Sequence, residues 1–392
     1  MDARTNPYSP GAGLRPPELA GREKEIEAFD VLRHRAVRGR SSQSIVLYGL
    51  RGVGKTVLLN DLAGAAAGDD WITAKVEADL SGSRVSFQVQ VVQALKTSLR
   101  HAQGRSSVGE RFRRMLKTFS SFSLSVGIDG SLTAGVDLKP GVALSGSLQT
   151  DLTDLAIDLG NAAAELGVGV ALFVDEMQHL TKEELAAVCQ ACHETGQRSL
   201  PFFVIGAGLP NLPGVLAEAK SYAERLFHYV EIDRLTAPDA AAALTRPAAE
   251  ENVIWAQEAI TAVVEASGGY PYFVQQFGKT CWEVAQQTPI TDLDAAEGIR
   301  LGRQQLDNGF FLARWERATP SERGYLTAMA TDGNGPSQSA DVATRLTKKP
   351  SALGPVRAKL IDKGLVYAPE YGLIAFTVPG MADFIHREIA RT

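Results

Sequence analysis

The stretch Gly49-Leu50-Arg51-Gly52-Val53-Gly54-Lys55-Thr56 decides the fold predicted for this chain. It follows the pattern G-x-x-x-x-G-K-[ST], with an apolar run from Ser44 to Tyr48 before it and a helical segment from Val57 to Leu62 after it. Glycines allow successive backbone N–H groups to turn inward around an anion, and a helix N-terminus adds partial positive charge there. The stretch therefore predicts a strand, a phosphate-binding loop and a helix.

Two side chains of this loop are expected to act on a nucleotide. Lys55 should bridge the β- and γ-phosphates, and the Thr56 hydroxyl should bind Mg²⁺. The remaining contacts are expected from the loop and the first turn of the helix, at Gly49, Gly52, Val53, Gly54 and Val57.

The rest of the first half predicts an α/β fold. Apolar runs recur at Trp71–Glu77, Val168–Val174 and Phe202–Ile205, separated by segments of helix length. Alternating strands and helices are typical of a mostly parallel sheet with helices on both faces. A P-loop NTPase core is therefore expected.

Two acids end one of these strands, in Ala171-Leu172-Phe173-Val174-Asp175-Glu176. A buried strand carries such acids to the carboxyl edge of the sheet, beside the phosphate loop. We expect Asp175 to hold the Mg²⁺ shell and Glu176 to polarise a water for attack on the γ-phosphate. The pair favours hydrolysis over simple nucleotide storage.

Composition excludes several other classes of protein. The 392 residues (42.0 kDa) are 45% hydrophobic and 22% charged, as in ordinary globular proteins, so wholesale disorder is excluded. Three cysteines cannot build a disulfide framework, and no apolar run approaches a membrane span. Because Met1 to Gly13 lacks a hydrophobic signal core, we expect a cytoplasmic protein with no membrane contact.

Composition and turn signals divide the chain into four parts. We expect an extended Pro-rich tail, an ATPase core whose globular part begins near Gly21, a helical Ala-rich lid, and a C-terminal winged helix-turn-helix. Their predicted bounds are 1–20, 21–235, 236–317 and 318–392.

A β-hairpin insertion is predicted within the core, at residues 119–148. Phe122, Leu124, Val126 and Ile128 alternate with small residues before an Asp129-Gly130 turn. The insertion could be a structural edge of the sheet, or a surface for DNA, a partner or a neighbouring subunit.

The predicted winged helix carries a basic stretch. Between Arg345 and Lys363 six cations stand against one acid, Asp362, which is the charge profile of a helix that faces phosphates. The candidate contacts with double-stranded DNA are Arg345, Lys348, Lys349, Arg357 and Lys359. Because winged modules also dock proteins, a protein partner is the alternative.

Taken together, these motifs resemble the AAA+ and STAND group of P-loop ATPases, especially its origin-recognition-like and archaeal-type branch. The resemblance rests on four places, namely Gly21-Arg22-Glu23-Lys24-Glu25, the phosphate loop, Asp175-Glu176-Met177-Gln178 and Gly269-Tyr270-Pro271. It spans about residues 16 to 290, and a winged helix after them fits the same domain order.

The resemblance implies a nucleotide and an oligomer. Arg22 and the lid near Pro271 would flank adenine, which favours ATP. Arg225 stands at the position of the arginine finger, a group usually supplied by a neighbouring subunit, so ATP-dependent homo-oligomerisation is implied. A surface arginine paired with Glu224 or Glu231 is the alternative for Arg225.

The sequence departs from this family's pattern at two positions. No Asn, Ser or Thr ends the run Phe203–Gly208, where a polar first-sensor residue is usual, and Asn211 is a distant substitute. The lid has Phe273, Gln275 and Gln276 where a second-sensor arginine would be expected. Both departures favour a nucleotide-dependent switch over a processive ring motor.

We therefore expect an ATP-hydrolysing molecular switch that requires Mg²⁺ and engages DNA or a partner through its winged helix. The alternative is a STAND-like signalling or defence regulator that hydrolyses ATP very slowly and binds protein without DNA. A P-loop kinase is a weaker third reading, because it leaves Asp175, Glu176 and the winged helix without a role.

Overall fold

A computed structural model describes residues 1–78, 86–103 and 147–391 of the chain. The predicted insertion at 119–148 falls almost wholly outside these ranges. Its last residue, Leu148, begins a helix. Within the described ranges, no helix is long and apolar enough to cross a membrane.

The centre of the molecule is a five-stranded parallel sheet with the order β2-β3-β4-β1-β5. Its strands are β1 (Ser44–Tyr48), β2 (Ile72–Glu77), β3 (Val170–Asp175), β4 (Phe202–Gly208) and β5 (Phe227–Glu231). Because all five strands run the same way, their carboxyl ends share one edge, and β1 reaches it between β4 and β5. The predicted parallel sheet is confirmed.

Helices cover both faces of this sheet. Along β1, Ile45 and Leu47 pack against the first two helices, while Val46 packs on the opposite face. This alternation is how a central strand buries both of its sides. The core helices are α1 (Glu23–Ala36), α2 (Lys55–Gly68), α3 (Phe87–Gln103), α4 (Leu148–Leu166), α5 (Lys182–Gln197), α6 (Leu212–Ala219) and α7 (Ala223–Leu226).

A helical lid follows the sheet, as the Ala-rich sequence predicts. Gly269, with φ of +76°, makes the turn between its second and third helices, and a side chain there would collide with the carbonyl oxygen of Leu235. The lid contains α8 (Ala237–Glu250), α9 (Gln257–Ser267), α10 (Pro271–Val284) and α11 (Asp292–Gln305). A π-helical turn (Leu306–Phe311) and α12 (Leu312–Glu316) follow the lid.

The N-terminal tail packs against this lid. Tyr8 is only 3% exposed and lies edge-on to Trp255 and Trp282. Its hydroxyl donates to the carbonyl oxygen of Leu244 at 2.5 Å and accepts from Trp255 Nε1 at 3.0 Å. The tail is therefore part of the globular body, which begins well before Gly21. The tail's partners lie more than 200 residues away in sequence, so local patterns do not show them.

The C-terminal unit contains four helices and a small antiparallel sheet with the order β6-β8-β7. Its apolar core is continuous with that of the lid. The elements are α13 (Pro320–Ala330), β6 (Ser337–Gln338), α14 (Ser339–Arg345), α15 (Pro350–Asp362), β7 (Val366–Tyr367), β8 (Leu373–Phe376) and α16 (Met381–Arg391).

Candidate nucleotide-binding site

The phosphate loop leaves β1 at the carboxyl edge of the sheet and turns directly into α2. Its start is tightly packed, because a side chain at Gly49 would collide with the carbonyl oxygen of Ile232. Gly52 and Gly54 have φ angles of +88° and +94°, which side-chain-bearing residues rarely adopt. The loop therefore turns sharply and ends at the N-terminus of α2, a 14-residue helix that begins at Lys55. A helix N-terminus at this place favours a bound anion.

Lys55 lies inside the curve of the loop. Its Nζ donates to the carbonyl oxygens of Gly49 at 2.8 Å and Leu50 at 2.7 Å. Burial lowers the pKa of Lys55 to about 8, although Glu176 and Asp175 act in the opposite direction. A buried ammonium group next to main-chain carbonyls is ready to exchange those partners for phosphate oxygens.

The two acids predicted to accompany Lys55 lie at the end of β3, and both line the same cavity as Lys55. Asp175 is 5% exposed, and its Oδ1 accepts the backbone N–H of Glu176 at 2.9 Å. Glu176 leaves the strand with a φ of +49°, a conformation that residues other than glycine adopt mainly at special sites. The strand end thus aims two carboxylates at the phosphate loop.

The residues predicted to hold Mg²⁺ fit that ion. Thr56 is the second residue of α2, and Thr56 and Asp175 line one cavity and offer hydroxyl and carboxylate oxygens. Mg²⁺ prefers oxygen ligands and is usually held by one or two protein groups together with substrate phosphates.

Gln178 places a polar group where β4 lacks one. Its Nε2 donates to Glu176 Oε2 at 2.5 Å, and its Oε1 accepts the backbone N–H of Leu209 at 3.1 Å. A side chain at Gly208 would lie 2.5 Å from that Oε1, so the small residues that end β4 leave room for Gln178. Gln178 belongs to the motif Asp175-Glu176-Met177-Gln178, but the sequence does not reveal this hydrogen bond between the turn after β3 and the end of β4.

One cavity of about 520 Å³ is lined by Lys55, Thr56, Asp175 and Glu176. The sheet edge and the phosphate loop form its floor, and the lid contributes Pro271, Tyr272 and Gln275. The N-terminal tail crosses it from Ser9 to Leu19. A cavity of this size suits a small-molecule ligand.

Arg22 and Pro271 both line the cavity, but the Arg22 guanidinium donates hydrogen bonds to main-chain carbonyl oxygens of the protein itself. Its Nη2 donates to the carbonyl oxygens of Val53 at 3.0 Å and Asp233 at 2.7 Å. Burial lowers the pKa of Arg22, with nearby carboxylates acting in the opposite direction. Arg22 thus clamps the phosphate loop to the segment after β5, and Pro271 begins the lid helix α10.

Two further arginines, which the sequence patterns did not mark as site residues, line the cavity. Arg51 lies within the phosphate loop, and its Nη2 is 3.2 Å from Glu176 Oε2. Arg314 comes from α12, after the lid, with its guanidinium carbon 3.9 Å from the centre of the Phe310 ring. Burial, and then the neighbouring Arg51, lowers the pKa of Arg314 to about 10. Arg314 thus supplies a cation that the lid helix α10 lacks.

Arg225 lies away from this cavity. It is exposed in α7, where its carbonyl oxygen accepts Gln43 Nε2 at 2.8 Å. Its guanidinium makes no ion pair with any residue in the described ranges. Arg225 therefore does not contact the site of its own chain.

The cations of the C-terminal unit divide into two groups. Arg345 forms an ion pair with Asp332, and Arg357 donates to the carbonyl oxygen of Leu373 at 3.2 Å. Lys348, Lys349 and Lys359 are exposed, and their side chains form no hydrogen bond or ion pair in the parts of the chain that the structure describes.

Comparisons with known proteins agree with this geometry. Residues 18–205 match the AAA ATPase domain, and residues 308–385 match a domain of unknown function, DUF8462. No curated protein matches the chain.

One solved structure shares the fold of this chain, and two others are similar to it with lower scores. A Walker-type ATPase of Pyrococcus abyssi has a TM-score of 0.57 at 16% identity, covering 95% of this chain and 97% of that one. The ORC1 protein of Aeropyrum pernix in complex with DNA has a TM-score of 0.48 at 14% identity, with coverages of 96% and 95%. The RuvB Holliday junction branch migration motor of Thermotoga maritima has a TM-score of 0.47 at 16% identity, with coverages of 93% and 96%. The likeness to the Pyrococcus abyssi ATPase shows that the chain has an AAA+-type P-loop fold, and the AAA ATPase domain is the family that residues 18–205 match.

Proposed function

We propose that this protein is an ATP-hydrolysing molecular switch. The observation that carries the proposal is the convergence of Lys55, Asp175 and Glu176 on one cavity at the phosphate loop. A buried ammonium group and two carboxylates beside a helix N-terminus suit binding and cleavage of a triphosphate.

Each group has a distinct role in this proposal. Lys55 binds the β- and γ-phosphates, and Thr56 and Asp175 hold Mg²⁺, with main-chain N–H groups of Gly52 to Val57 around the phosphates. Mg²⁺ when bound neutralises charge on the phosphates. Glu176 orients the attacking water and accepts its proton, while Gln178 keeps the carboxylate at the end of β3. Arg22 and Pro271 lie at the adenine end.

The C-terminal unit is the proposed output of the switch. We infer that this unit is a winged helix, and its order of helices and strands from α13 to α16 supports that inference. Lys348, Lys349 and Lys359 are available for the phosphates of double-stranded DNA, whereas Arg345 and Arg357 already have protein partners. DNA contact in this proposal therefore rests on the three lysines.

Homo-oligomerisation on ATP is the second part of the proposal. Arg225 is exposed and does not line the cavity of its own chain, so a role as an arginine finger requires the site of a neighbouring subunit. Arginine fingers contribute roughly 10³- to 10⁵-fold in rate. Mixing inactive Arg225→Ala and Glu176→Gln proteins should therefore restore turnover, because each Arg225→Ala site receives a finger from its neighbour. A mixture as inactive as its components would contradict action in trans, and full activity of Arg225→Ala alone would remove Arg225 from the mechanism.

A STAND-like protein-binding switch with very slow hydrolysis is the second candidate. It is favoured by the contact between the C-terminal unit and the phosphate loop, where the N–H of Arg51 donates to the carbonyl oxygen of Thr377 at 2.9 Å. Such a contact allows the nucleotide to control the unit without DNA.

The rate of ATP hydrolysis with and without duplex DNA separates the two candidates. Stimulation of several-fold by DNA supports the DNA-engaging switch, with Glu176→Gln as the inactive reference. Slow turnover that is indifferent to DNA supports the protein-binding regulator. A wild-type rate equal to that of Glu176→Gln would contradict hydrolysis at this site.

A further inference from the structure

Arg51 touches both the Glu176 side chain and the C-terminal unit. Its backbone N–H donates to the carbonyl oxygen of Thr377 at 2.9 Å, and its Nη2 is 3.2 Å from Glu176 Oε2. A side chain at Gly364 would lie 3.2 Å from the same Nη2. The side chain of Arg51 therefore contacts the proposed catalytic carboxylate and lies beside Gly364 in the turn before β7. Its backbone N–H bonds to Thr377, just after β8.

An apolar contact holds the C-terminal unit against the loop beside Arg51. Tyr367 and Ala375, paired across β7 and β8, pack with Leu209 at the end of β4 and with Leu50. These two strand residues face away from the unit's own core, which contains their neighbours Val366, Ile374 and Phe376. The sheet of the C-terminal unit therefore presents its second face to the nucleotide site.

The Arg51 side chain has only part of its hydrogen-bonding capacity satisfied. Its buried Nε has no hydrogen-bond partner among the described residues. The other groups near Glu176 Oε2 are Gln178 at 2.5 Å and His179 at 3.6 Å, and Lys55 and Arg314 face the same cavity. Arg51 also bonds to the C-terminal unit, through its backbone N–H.

We propose that Arg51 is a positioning residue through which the docked C-terminal unit slows ATP turnover. Docking fixes Arg51 between Gly364, Thr377 and Glu176, and its guanidinium then competes with the attacking water for the carboxylate. Release of the unit frees Arg51 and leaves Glu176 with Gln178 and His179. This inference rests on the proposed function and adds a regulatory step to it.

The test compares steady-state ATP turnover of four full-length proteins, namely wild type, Arg51→Gln, Ala375→Glu and the double variant. Ala375→Glu places a carboxylate in the apolar contact with Leu50. Both single variants should raise kcat about fivefold or more, an effect of the size usual for coupling between two sites. KM should stay within about threefold of the wild-type value. The double variant should match the singles, because both changes break one connection.

Three controls accompany these variants. Arg38→Gln removes an exposed arginine of the core, and Tyr371→Ser changes a fully exposed residue of the C-terminal sheet, so neither should alter kcat. Tyr367→Ala repeats the undocking with a change that removes apolar contact instead of adding charge. Energy transfer between dyes on Glu183→Cys and Glu370→Cys reports docking, since all three native cysteines are buried.

The outcomes decide between the two proposals. If Arg51→Gln lowers kcat, or if its effect multiplies with that of Ala375→Glu, the inference is wrong while hydrolysis stands. It is equally wrong if Ala375→Glu and Tyr367→Ala reduce energy transfer without raising kcat. If wild type hydrolyses ATP no faster than Glu176→Gln, the proposed function and this inference both fail.

Discussion

The phosphate loop and the basic stretch of the C-terminal unit differ in how their charged side chains are arranged. Around the loop, Lys55, Asp175 and Glu176 converge on one cavity. In the basic stretch, Arg345 and Lys363 form ion pairs with Asp332 and Glu322 instead of facing solvent together. The loop has its geometry dictated by its own glycines and by the strand before it. Whether a basic side chain on the surface of the C-terminal unit is unpaired depends on which acidic residues the fold places beside it.

The largest expected effect that separates the two regions is that of Glu176→Gln. Turnover of ATP should fall by about 10²-fold or more, as for loss of a general base, while binding of duplex DNA by the nucleotide-free protein stays unchanged. Single-turnover hydrolysis and a DNA titration measure the two effects. A parallel loss of DNA binding would show that the two regions cannot be treated separately.

The next effect concerns the three exposed lysines. Replacing Lys348, Lys349 and Lys359 together by Gln should weaken DNA binding by roughly tenfold or more and lower the salt slope of log K by about 2 to 3. Basal ATP turnover should remain at the wild-type rate. Unaltered DNA affinity across a salt series would remove the DNA interface from this face.

A smaller effect is expected from the matched variant Arg345→Gln. Its ion pair with Asp332 links α14 to the end of α13, so the thermal midpoint should fall by a few degrees. DNA affinity should stay within about twofold of wild type. A loss of DNA affinity as large as that of the lysine variant would mean that Arg345 leaves Asp332 to contact DNA.

The smallest effect is a proton taken up on ATP binding at high pH. In the free protein Lys55 has a pKa of about 8 and loses its proton as the pH rises through that value. Bound phosphates favour the ammonium form, so binding should take up close to one proton at pH 9 and almost none at pH 7. Calorimetry in buffers of different ionisation enthalpy measures this number. Lys75→Gln, which removes another lysine of the cavity, should leave it unchanged.

The sequence predicts the strands of the core and the residues of the phosphate loop because their signals are local. Ser44–Tyr48 is predicted and found at the same bounds, and the acids of β3 reach the same edge of the sheet as the loop. These features depend on spacing within about ten residues and on the parallel order of the strands.

Other features arise only from long-range packing. Tyr8 is buried between two tryptophans of the lid, and Arg314 reaches the cavity from beyond the lid. The side chain of Gln178, in the turn after β3, accepts the backbone N–H of Leu209, just after β4. This contact depends on the pairing of β3 with β4. In each case the partner lies far away in sequence, so no periodicity or motif marks it.

We propose above all that a triphosphate binds with Mg²⁺ at the phosphate loop. Calorimetric titration tests this binding most directly. Wild-type protein titrated with ATP and Mg²⁺ should show saturable heat with one site per chain. Lys55→Ala, which removes the buried ammonium group, should show at least about 100-fold weaker binding with its melting curve preserved. Equal heats and affinities for the two proteins, or none for folded wild type, would contradict the account.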